Sequence, residues 1–595
     1  MDKPYVMSLT GFAVFFRDPP LSAMLMAQKT WSWCMVHLFL ALGATAGADG
    51  ADFKSRCLAF KPESYISNAT LNRLEYVTAG TNLAFPDNDA SCNRASQVIN
   101  VDLCRIALLV PTSQRSGFHY ELWLPESWNG RTLATGNGGL DGCIKYEDIA
   151  YGAANGFASM GLAELIDLQY VLTAPQEKPI YTLMPTGSFG TNNGHNGTSG
   201  NAFYQNEDVV VDFSWRALHT SVKIGKKLTS LAYDKNVGKS YYLGCSLGGR
   251  QGIGNAEKFP EDFDGIVAGA PAVDFNSLYS WRASFFTITR DTESPDFISP
   301  DTWKTTIHNE VLRQCDSIDG VEDGIIEDPI LCHVDTERLL CGYGNSTSTD
   351  CLSEAQVGIV KAVFDDYLWP NGTLLFPRVN PGGELLAADG LYSGNPYAPS
   401  ADWFKYAILS EPSWDPATYT RDDASLAIQK NPADIDTWPS SLAAFQDHGG
   451  KLLSYHGQQD QQISSLNSVR FWKRLADGVD NDLEKMDAFY RLFRIPGMNH
   501  CAGGPGAWTV GQGGTPPAYG IPFDGDHNVL AAIVDWVEKG VAPDEVIGTK
   551  FVGDSVDAGI MYQHRHCRYP YRSTYSGSGD PLDIDSWHCV NFGGY

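Results

Sequence analysis

Short apolar runs and glycine-rich turns alternate along most of the chain, with longer amphipathic stretches between them. Strands are predicted at 118–124, 131–134, 240–243, 451–455 and 490–495. Helices are predicted at 211–228 and at 529–538, and Gly540 follows the second of these. Because strands and helices alternate, the pattern predicts an α/β fold built around a central sheet.

The stretch 272–447 departs from this pattern. It is rich in tryptophan, acidic residues, proline and cysteine, and it has few strand-like runs. We interpret it as a lid or cap domain inserted into the sheet-forming part of the chain. The catalytic α/β domain would then comprise 49–271 and 448–595.

The first 48 residues have the features of a secretory signal peptide. Lys29 precedes an apolar run at 31–42, and small residues at 44–48 offer cleavage sites. The run is too short for a membrane span, and residues 1–23 are interpreted as an over-extended start. We therefore expect a secreted, extracellular protein.

Charge and cysteine content narrow the classes of partner. The 595 residues carry 43 Lys and Arg against 70 Asp and Glu, a formal net charge of −27, which disfavours nucleic acid and anionic membranes as partners.

The chain has 13 cysteines. Cys34 lies in the N-terminal apolar run, and the other twelve show no repeated C-x-x-C spacing. Such a set favours disulfides over zinc sites. Four N-x-[ST] sequons fit a glycoprotein: Asn68, Asn196, Asn345 and Asn371.

The sharpest local motif is the G-x-S-x-G at 244–248, which follows an apolar strand and precedes a helix start. This is the context of a nucleophile elbow, where a tight turn exposes a serine hydroxyl. Ser246 is the predicted nucleophile. The backbone N–H of Leu247, at the helix N-terminus, is the predicted oxyanion donor.

A serine nucleophile needs a base and an orienting acid. In the order Ser, Asp, His that such folds use, Asp460 follows the strand at 451–455 and His500 follows the strand at 490–495. We assign His500 as the general base and Asp460 as the residue that orients it. Other histidines lack this combination of order and setting and are interpreted as structural or pocket residues: His195, His448, His456 and His527.

Cysteines flank both candidates. Cys245 precedes Ser246, and Cys501 follows His500. Bonded cysteines have Cα atoms about 4.4–6.8 Å apart, and neighbouring Cα atoms are about 3.8 Å apart. A Cys245–Cys501 disulfide would therefore hold the serine and the histidine within hydrogen-bonding range.

These residues make the chain similar to the tannase and feruloyl esterase family of secreted α/β-hydrolases. The resemblance lies in Cys245-Ser246, Asp460 and His500-Cys501 and extends from Cys57 to the segment His566-Cys-Arg-Tyr-Pro570. It implies an α/β-hydrolase sheet with an inserted cap, and no organic cofactor. The loop 136–139 resembles the loop that gives a second oxyanion N–H, here Gly138, although an ordinary tight turn explains its glycines equally well.

The resemblance also implies disulfide pairs that the sequence alone leaves open. Besides Cys245–Cys501 they are Cys57–Cys104, Cys92–Cys143, Cys315–Cys332, Cys341–Cys351 and Cys567–Cys589.

The segment 315–328 is dense in carboxylates separated by glycines. Hard cations such as Ca²⁺ take six to eight oxygen ligands, but a solvated acidic turn explains the spacing equally well. The resemblance implies a structural calcium loop in the cap. Its ligands would be the side chains of Asp316, Asp319 and Asp323 and the carbonyls of Val321 and Ile325.

The function implied is two-step hydrolysis of phenolic esters, either small ones or ones linked to plant cell-wall polysaccharides. The C-terminal sequence favours the feruloyl esterase B branch. The alternatives are a tannase acting on galloyl esters, a non-catalytic carbohydrate-binding relative and a serine peptidase of the same fold. Oligomeric state is not indicated by the sequence.

Overall fold

The computed structural model describes residues 52–164, 197–345 and 350–592. The predicted signal peptide and two of the residues singled out above, His195 and Asn196, lie outside these ranges. The described residues belong to one compact unit.

Within the described ranges nine strands form the main sheet, and their spatial order is β1-β4-β5-β7-β6-β8-β9-β12-β13. From β7 to β13 the neighbouring strands are parallel, whereas β5, β4 and β1 extend the sheet by antiparallel pairing. Their bounds are β1 Thr70–Val77, β4 Leu103–Pro111, β5 Gly117–Pro125, β6 Arg131–Thr135, β7 Ala158–Glu164, β8 Lys239–Cys245, β9 Gly265–Gly269, β12 Lys451–Gly457 and β13 Tyr490–Ile495.

Four two-stranded antiparallel pairs complete the described strands. They are β2 Asn82–Ala84 with β3 Ser96–Val98, β10 Tyr367–Leu368 with β11 Leu374–Phe376, β14 Glu545–Phe551 with β15 Ile560–Cys567, and β16 Tyr571–Tyr575 with β17 Trp587–Asn591.

The α-helices of the described residues cover the sheet and build the cap. In chain order, α1 to α16 are Phe53–Ala59, Tyr146–Ala154, Glu207–Val211, Ala217–Tyr233, Leu247–Lys258, Phe275–Thr289, Pro300–Thr302, His308–Cys315, Glu354–Phe364, Glu384–Ala387, Ala398–Asp402, Arg421–Lys430, Ala443–Asp447, Ser465–Asp477, Leu483–Asp487 and Val529–Lys539. Within the described ranges, none of them is long and apolar enough to cross a membrane.

All five predicted strands are present, as β5, β6, β8, β12 and β13. The helix predicted at 211–228 is also present: a π-helical segment, Asp212–Arg216, joins α3 to α4. The helix predicted at 529–538 is α16, and Gly540 ends it in the left-handed conformation with φ 72°, which glycine adopts without steric cost.

The segment between β9 and β12 contains the predicted cap. Among the described residues it adds no strand to the main sheet. Its apolar side chains form a core around Trp303, Trp403, Phe404 and Ile408, together with residues from before β8 such as Phe213. That core also includes Leu247 of α5, so the cap packs directly against the helix that follows Ser246.

The end of the chain differs from the α/β alternation predicted for 448–595. After α16 the described residues form the antiparallel pairs β14–β15 and β16–β17. Strands such as β15, with the sequence IMYQHRHC, carry many polar side chains, so they lack the apolar run from which a strand is predicted. The Cys567–Cys589 disulfide joins β15 to β17.

Candidate active site

Ser246 is the single residue between the end of β8 and the start of α5, and it forms a tight turn. Its backbone has φ 67° and ψ −122°, a conformation that residues with a side chain adopt only where the surroundings enforce it. A Cβ added to Gly244 would lie 2.8 Å from the carbonyl carbon of Gly248, and one added to Gly249 would lie 2.4 Å from the carbonyl oxygen of Gly269. The glycines are therefore a steric requirement of the turn.

The candidate base and acid follow two neighbouring parallel strands at the same edge of the sheet. β12 ends at Gly457, opposite Ile495 at the end of β13, so the loops that carry Asp460 and His500 begin side by side. A Cβ on Gly457 would lie 2.4 Å from the carbonyl oxygens of Met498 and Asn499. Glycine at this position lets the two loops touch.

The three side chains form a continuous hydrogen-bonded chain. Nε2 of His500 lies 2.9 Å from Oγ of Ser246, and Nδ1 of His500 lies 2.7 Å from Oδ2 of Asp460. Because an ionised carboxylate only accepts hydrogen bonds, Nδ1 carries the proton and Nε2 is free to accept the serine proton. This is the arrangement that nucleophilic acyl transfer requires.

The surroundings of Asp460 keep its carboxyl group ionised. Burial of the carboxylate opposes its charge, but the positive charge of the His500 imidazolium and hydrogen bonds from His456 and His500 outweigh that effect and hold the pKa of Asp460 well below its usual range. Its other oxygen, Oδ1, accepts the backbone N–H groups of Gln462 at 2.7 Å and Ile463 at 2.8 Å.

The disulfide Cys245–Cys501 joins the two loops, with an S–S distance of 2.07 Å and a Cα–Cα distance of 6.0 Å. The backbone N–H of His500 also donates to Oε1 of Gln461 at 3.0 Å. The histidine loop is thus fixed both by a covalent bond to the serine loop and by a hydrogen bond to the aspartate loop.

The two predicted oxyanion donors differ in their surroundings. Leu247 is the first residue of α5, and its N–H has no acceptor within the helix. The N–H of Gly138 instead donates to Oδ1 of Asp141 at 3.1 Å. Gly138 therefore stays a predicted donor, whose N–H would have to leave this hydrogen bond to reach an oxyanion.

The other candidate histidines of the described chain are placed outside the Ser246–His500 pair. His448 is exposed, and Nδ1 of His527 lies 2.8 Å from Oδ1 of Asp524 on the surface. His456 is fully buried, and its Nε2 lies 3.1 Å from Oδ2 of Asp460. The sequence around His456 gives no indication that its side chain points at Asp460.

The remaining disulfides join the cysteines in the pairs that the resemblance implies. They are Cys57–Cys104, Cys92–Cys143, Cys315–Cys332, Cys341–Cys351 and Cys567–Cys589. One of these, Cys315–Cys332, closes the acidic segment.

In the acidic segment, side-chain carboxylates accept hydrogen bonds from backbone N–H groups of the same loop. Asp316 accepts the N–H of Gly324 at 3.1 Å, Asp319 that of Val321 at 2.9 Å and Asp323 that of Ile325 at 3.0 Å. Within the described ranges, no three His, Cys, Asp or Glu side chains converge on a metal position. Burial, and then the negative charges of Glu327, Asp323 and Asp316, raise the pKa of Asp319 to about 7.

Comparison with known proteins gives the chain close relatives. The family model described as "Tannase and feruloyl esterase" matches residues 104–590. A "probable feruloyl esterase B-2" of Aspergillus flavus is 52% identical over 534 residues, which cover 90% of this chain and 95% of that protein.

Solved structures agree with the predicted fold. Feruloyl esterase B from Aspergillus oryzae superposes with a TM-score of 0.81 at 43% identity, covering 91% of this chain and 100% of the other. A tannin acyl hydrolase from Aspergillus niger has a TM-score of 0.66 at 20% identity and covers 90% and 94% of the two chains. The α/β-hydrolase fold class is confirmed.

Proposed function

The chain belongs to the tannase and feruloyl esterase family, and on that premise we propose that it hydrolyses feruloyl and related hydroxycinnamoyl esters of plant cell-wall polysaccharides. It is a carboxylic ester hydrolase. The observation that carries the proposal is the hydrogen-bonded chain from Ser246 through His500 to Asp460. The relatives named feruloyl esterase B support the feruloyl group as the acyl part.

The first half of the reaction forms an acyl-enzyme. As Oγ of Ser246 attacks the ester carbonyl carbon, its proton moves to Nε2 of His500, and Asp460 stabilises the resulting imidazolium. The carbonyl oxygen becomes an oxyanion, and the N–H of Leu247 at the start of α5 donates to it. The intermediate collapses when the C–O bond to the alcohol breaks and His500 gives that oxygen its proton.

The second half returns the enzyme to its starting state. Water takes the place of the alcohol, gives a proton to His500 and attacks the acyl carbon. The bond to Oγ then breaks, Ser246 regains its proton from His500, and the phenolic acid leaves. Each group therefore ends in its initial protonation state.

Aromatic side chains of the cap do not in themselves identify the acyl pocket. Trp281, Phe285, Trp403 and Phe404 are each at most 2% exposed and belong to the cap core. The choice of acyl group therefore rests on the relatives, and galloyl esters are the second candidate because the matching family also contains tannases.

A panel of methyl ferulate, methyl gallate, a short fatty ester and a peptide substrate tests the proposal. We expect methyl ferulate to be turned over with the highest kcat/KM. The variant Ser246→Ala should lose about 10⁴-fold or more of this activity, because no other group can form the acyl-enzyme. The same variant should keep the melting temperature of the wild type.

Ser413→Ala is the matched control, since Ser413 is an exposed cap residue and its loss should leave turnover unchanged. A higher kcat/KM on methyl gallate would favour the tannase alternative. A wild-type protein that binds cell-wall polysaccharide but hydrolyses no ester would contradict the proposed esterase activity.

We also propose that the protein is secreted. The described part of the chain contains six disulfides, and such a number is typical of proteins that fold in an oxidising compartment. Of the predicted glycosylation sites, Asn68 and Asn371 are exposed. Secretion also fits a substrate that lies in the plant cell wall.

We propose further that Ca²⁺ binds the acidic segment of the cap through Asp316, Asp319 and Asp323 and the carbonyls of Val321 and Ile325. Burial first, and then the charges of neighbouring carboxylates, raise the pKa of Asp319 and of Asp323 above the usual range, and this crowding of negative charge supports the proposal. A divalent cation would relieve that repulsion. The ion would stabilise the cap and take no part in the reaction.

A further inference from the structure

A second histidine approaches the acid of the triad. His456 is the residue before the last of β12 and is 0% exposed. Its Nε2 lies 3.1 Å from Oδ2 of Asp460, and Nδ1 of His500 lies 2.7 Å from the same oxygen. Two imidazoles therefore converge on one carboxylate oxygen, one from β12 and one from the loop after β13.

The partners of His456 place a hydrogen on its Nε2. Nε2 also lies 3.2 Å from the carbonyl oxygen of Ile463. A carboxylate and a carbonyl can only accept, so Nε2 must carry a hydrogen. On the other side, Nδ1 lies 2.7 Å from the hydroxyl of Ser468 on α14, which donates to it when the imidazole is neutral. His456 is thus a donor to Asp460 that is itself held by a serine.

We propose that His456, held by Ser468, is a positioning residue of the hydrolase: it fixes the Asp460 carboxylate for His500 and takes up part of its negative charge. The proposal rests on the function proposed above. Ser246, His500, Asp460, His456 and Ser468 then form one chain with successive distances of 2.9, 2.7, 3.1 and 2.7 Å.

The hydrogen-bond count of Asp460 supports this role. A carboxylate offers about four lone-pair positions. Oδ1 receives two backbone N–H donors, and Oδ2 receives one donor from each histidine. Without His456 one buried position has no donor, and Oδ2 is held by His500 alone. The carboxylate can then rotate away from the geometry that orients the base.

Loss of this donor has an electrostatic consequence as well. More negative charge stays on Oδ2, so Asp460 stabilises the imidazolium form of His500 more strongly. The acid limb of the pH profile of kcat/KM should therefore move to higher pH. Among the described residues, Tyr397 of the cap interacts electrostatically with Asp460, and Arg282 lies over the Tyr397 ring. A substitution of His456 leaves both in place.

The test compares His456→Leu with His456→Gln, whose side-chain amide can still donate to Asp460. We expect His456→Leu to lower kcat by about 10- to 100-fold, as small misplacements in active sites do, with KM changed by less than about 3-fold. Its acid limb should shift upward by about half a pH unit or more. His456→Gln should recover most of the kcat and the wild-type profile.

Ser468→Ala, a smaller change, should shift the acid limb in the same direction by a smaller amount. It keeps the proposal testable if His456→Leu does not fold. A wild-type profile and kcat in both His456→Leu and Ser468→Ala would overturn it. So would a loss of kcat without any pH shift that His456→Gln does not restore, which would indicate packing alone.

All variants are measured on methyl ferulate and on 4-nitrophenyl acetate. The second ester separates the two proposals, because a wild-type enzyme that cleaves only 4-nitrophenyl acetate would disprove the feruloyl substrate. The effect of His456 on that reaction would still be readable as a ratio to the wild type.

Discussion

Asp141 controls the loop beside the nucleophile. Its Oδ1 accepts the N–H of Gly138 at 3.1 Å and lies 3.4 Å from the N–H of Cys143. Burial raises the pKa of Asp141 to about 6, against the opposing effects of the Gly138 hydrogen bond and the charges of Lys145 and Arg94. The Asp141 carboxyl, which accepts the N–H of Gly138, therefore gains or loses its proton near pH 6.

This residue gives a prediction for stability against pH. The pKa of Asp141 is raised on folding from about 3.9 in the unfolded chain to about 6. As pH rises from 4 to 6, the unfolded state loses this proton before the folded state does, so the wild type loses stability relative to a variant that cannot titrate. For Asp141→Asn, the melting temperature minus that of the wild type should rise over this range and level off above it.

Melting curves in a series of buffers from pH 4 to 8 measure this difference. Asp389→Asn, at an exposed surface position, is the control, for which we expect a nearly constant difference. A constant difference for Asp141→Asn as well would show that the carboxylate ionises normally in the fold.

At the scale of single elements, the strands that carry the candidate site could be predicted because they are buried and apolar. β8, β12 and β13 each have six buried residues, and each sequence contains a short apolar stretch, such as Tyr-Tyr-Leu at 241–243, from which a buried strand is predicted. Their order in the chain and the cysteines beside Ser246 and His500 then located the three site residues.

Other features could not be predicted because they depend on contacts between distant elements. The side chain of His456 lies between Asp460 and Ser468 of α14, and the sequence does not indicate either contact. The partner of the Gly138 N–H is a carboxylate three residues later, which the glycine pattern does not indicate. The polar strands β15 and β17 depend on antiparallel pairing and on the disulfide that joins them, and neither feature leaves an apolar run in the sequence.

The acidic segment of the cap carries its own prediction. If Ca²⁺ binds there, removing it with EGTA should lower the melting temperature by a few degrees, because a ligand present at 100 times its Kd contributes about 2.7 kcal/mol. The kcat on methyl ferulate, measured below the transition, should change much less. Differential scanning calorimetry with and without added Ca²⁺ measures the effect.

Asp319→Asn should remove the sensitivity to EGTA, since it deletes one of the proposed ligands. Asp365→Asn, on the cap surface at the end of α9, should keep it. An unchanged melting curve of the wild type in EGTA, together with no calcium by elemental analysis, would disprove the site.

At the scale of the whole molecule, hydrogen bonds connect the cap to the loop that carries Asp460. Nε of Arg282 on α6 donates to the carbonyl oxygen of Gln462 at 2.8 Å, and Nδ2 of Asn380 donates to that of Gln458 at 3.0 Å. Gln462 in turn donates its N–H to Asp460. Cap residues therefore support the backbone on both sides of the acid, and cap stability and catalytic geometry are linked.

Among the disulfides of the described residues, Cys245–Cys501 closes the longest loop, with a sequence separation of 256 residues. Chain-entropy reasoning makes such a bond worth roughly 5 kcal/mol at most, whereas the Cys341–Cys351 bond, with a separation of 10 residues, is worth about 3 kcal/mol. Replacing Cys245 and Cys501 together by alanine should therefore lower the melting temperature more than replacing Cys341 and Cys351. It should also lower kcat about 10-fold or more, because the serine and histidine loops lose their common anchor.

The Cys341 and Cys351 pair is the matched control, because its loss removes a disulfide within the cap and should leave kcat near that of the wild type. A wild-type kcat in the Cys245 and Cys501 double variant would mean that packing and the Gln461 hydrogen bond to His500 already hold the loops in place. The disulfide would then act on stability alone, and the flanking of both site residues by cysteines would have no catalytic consequence.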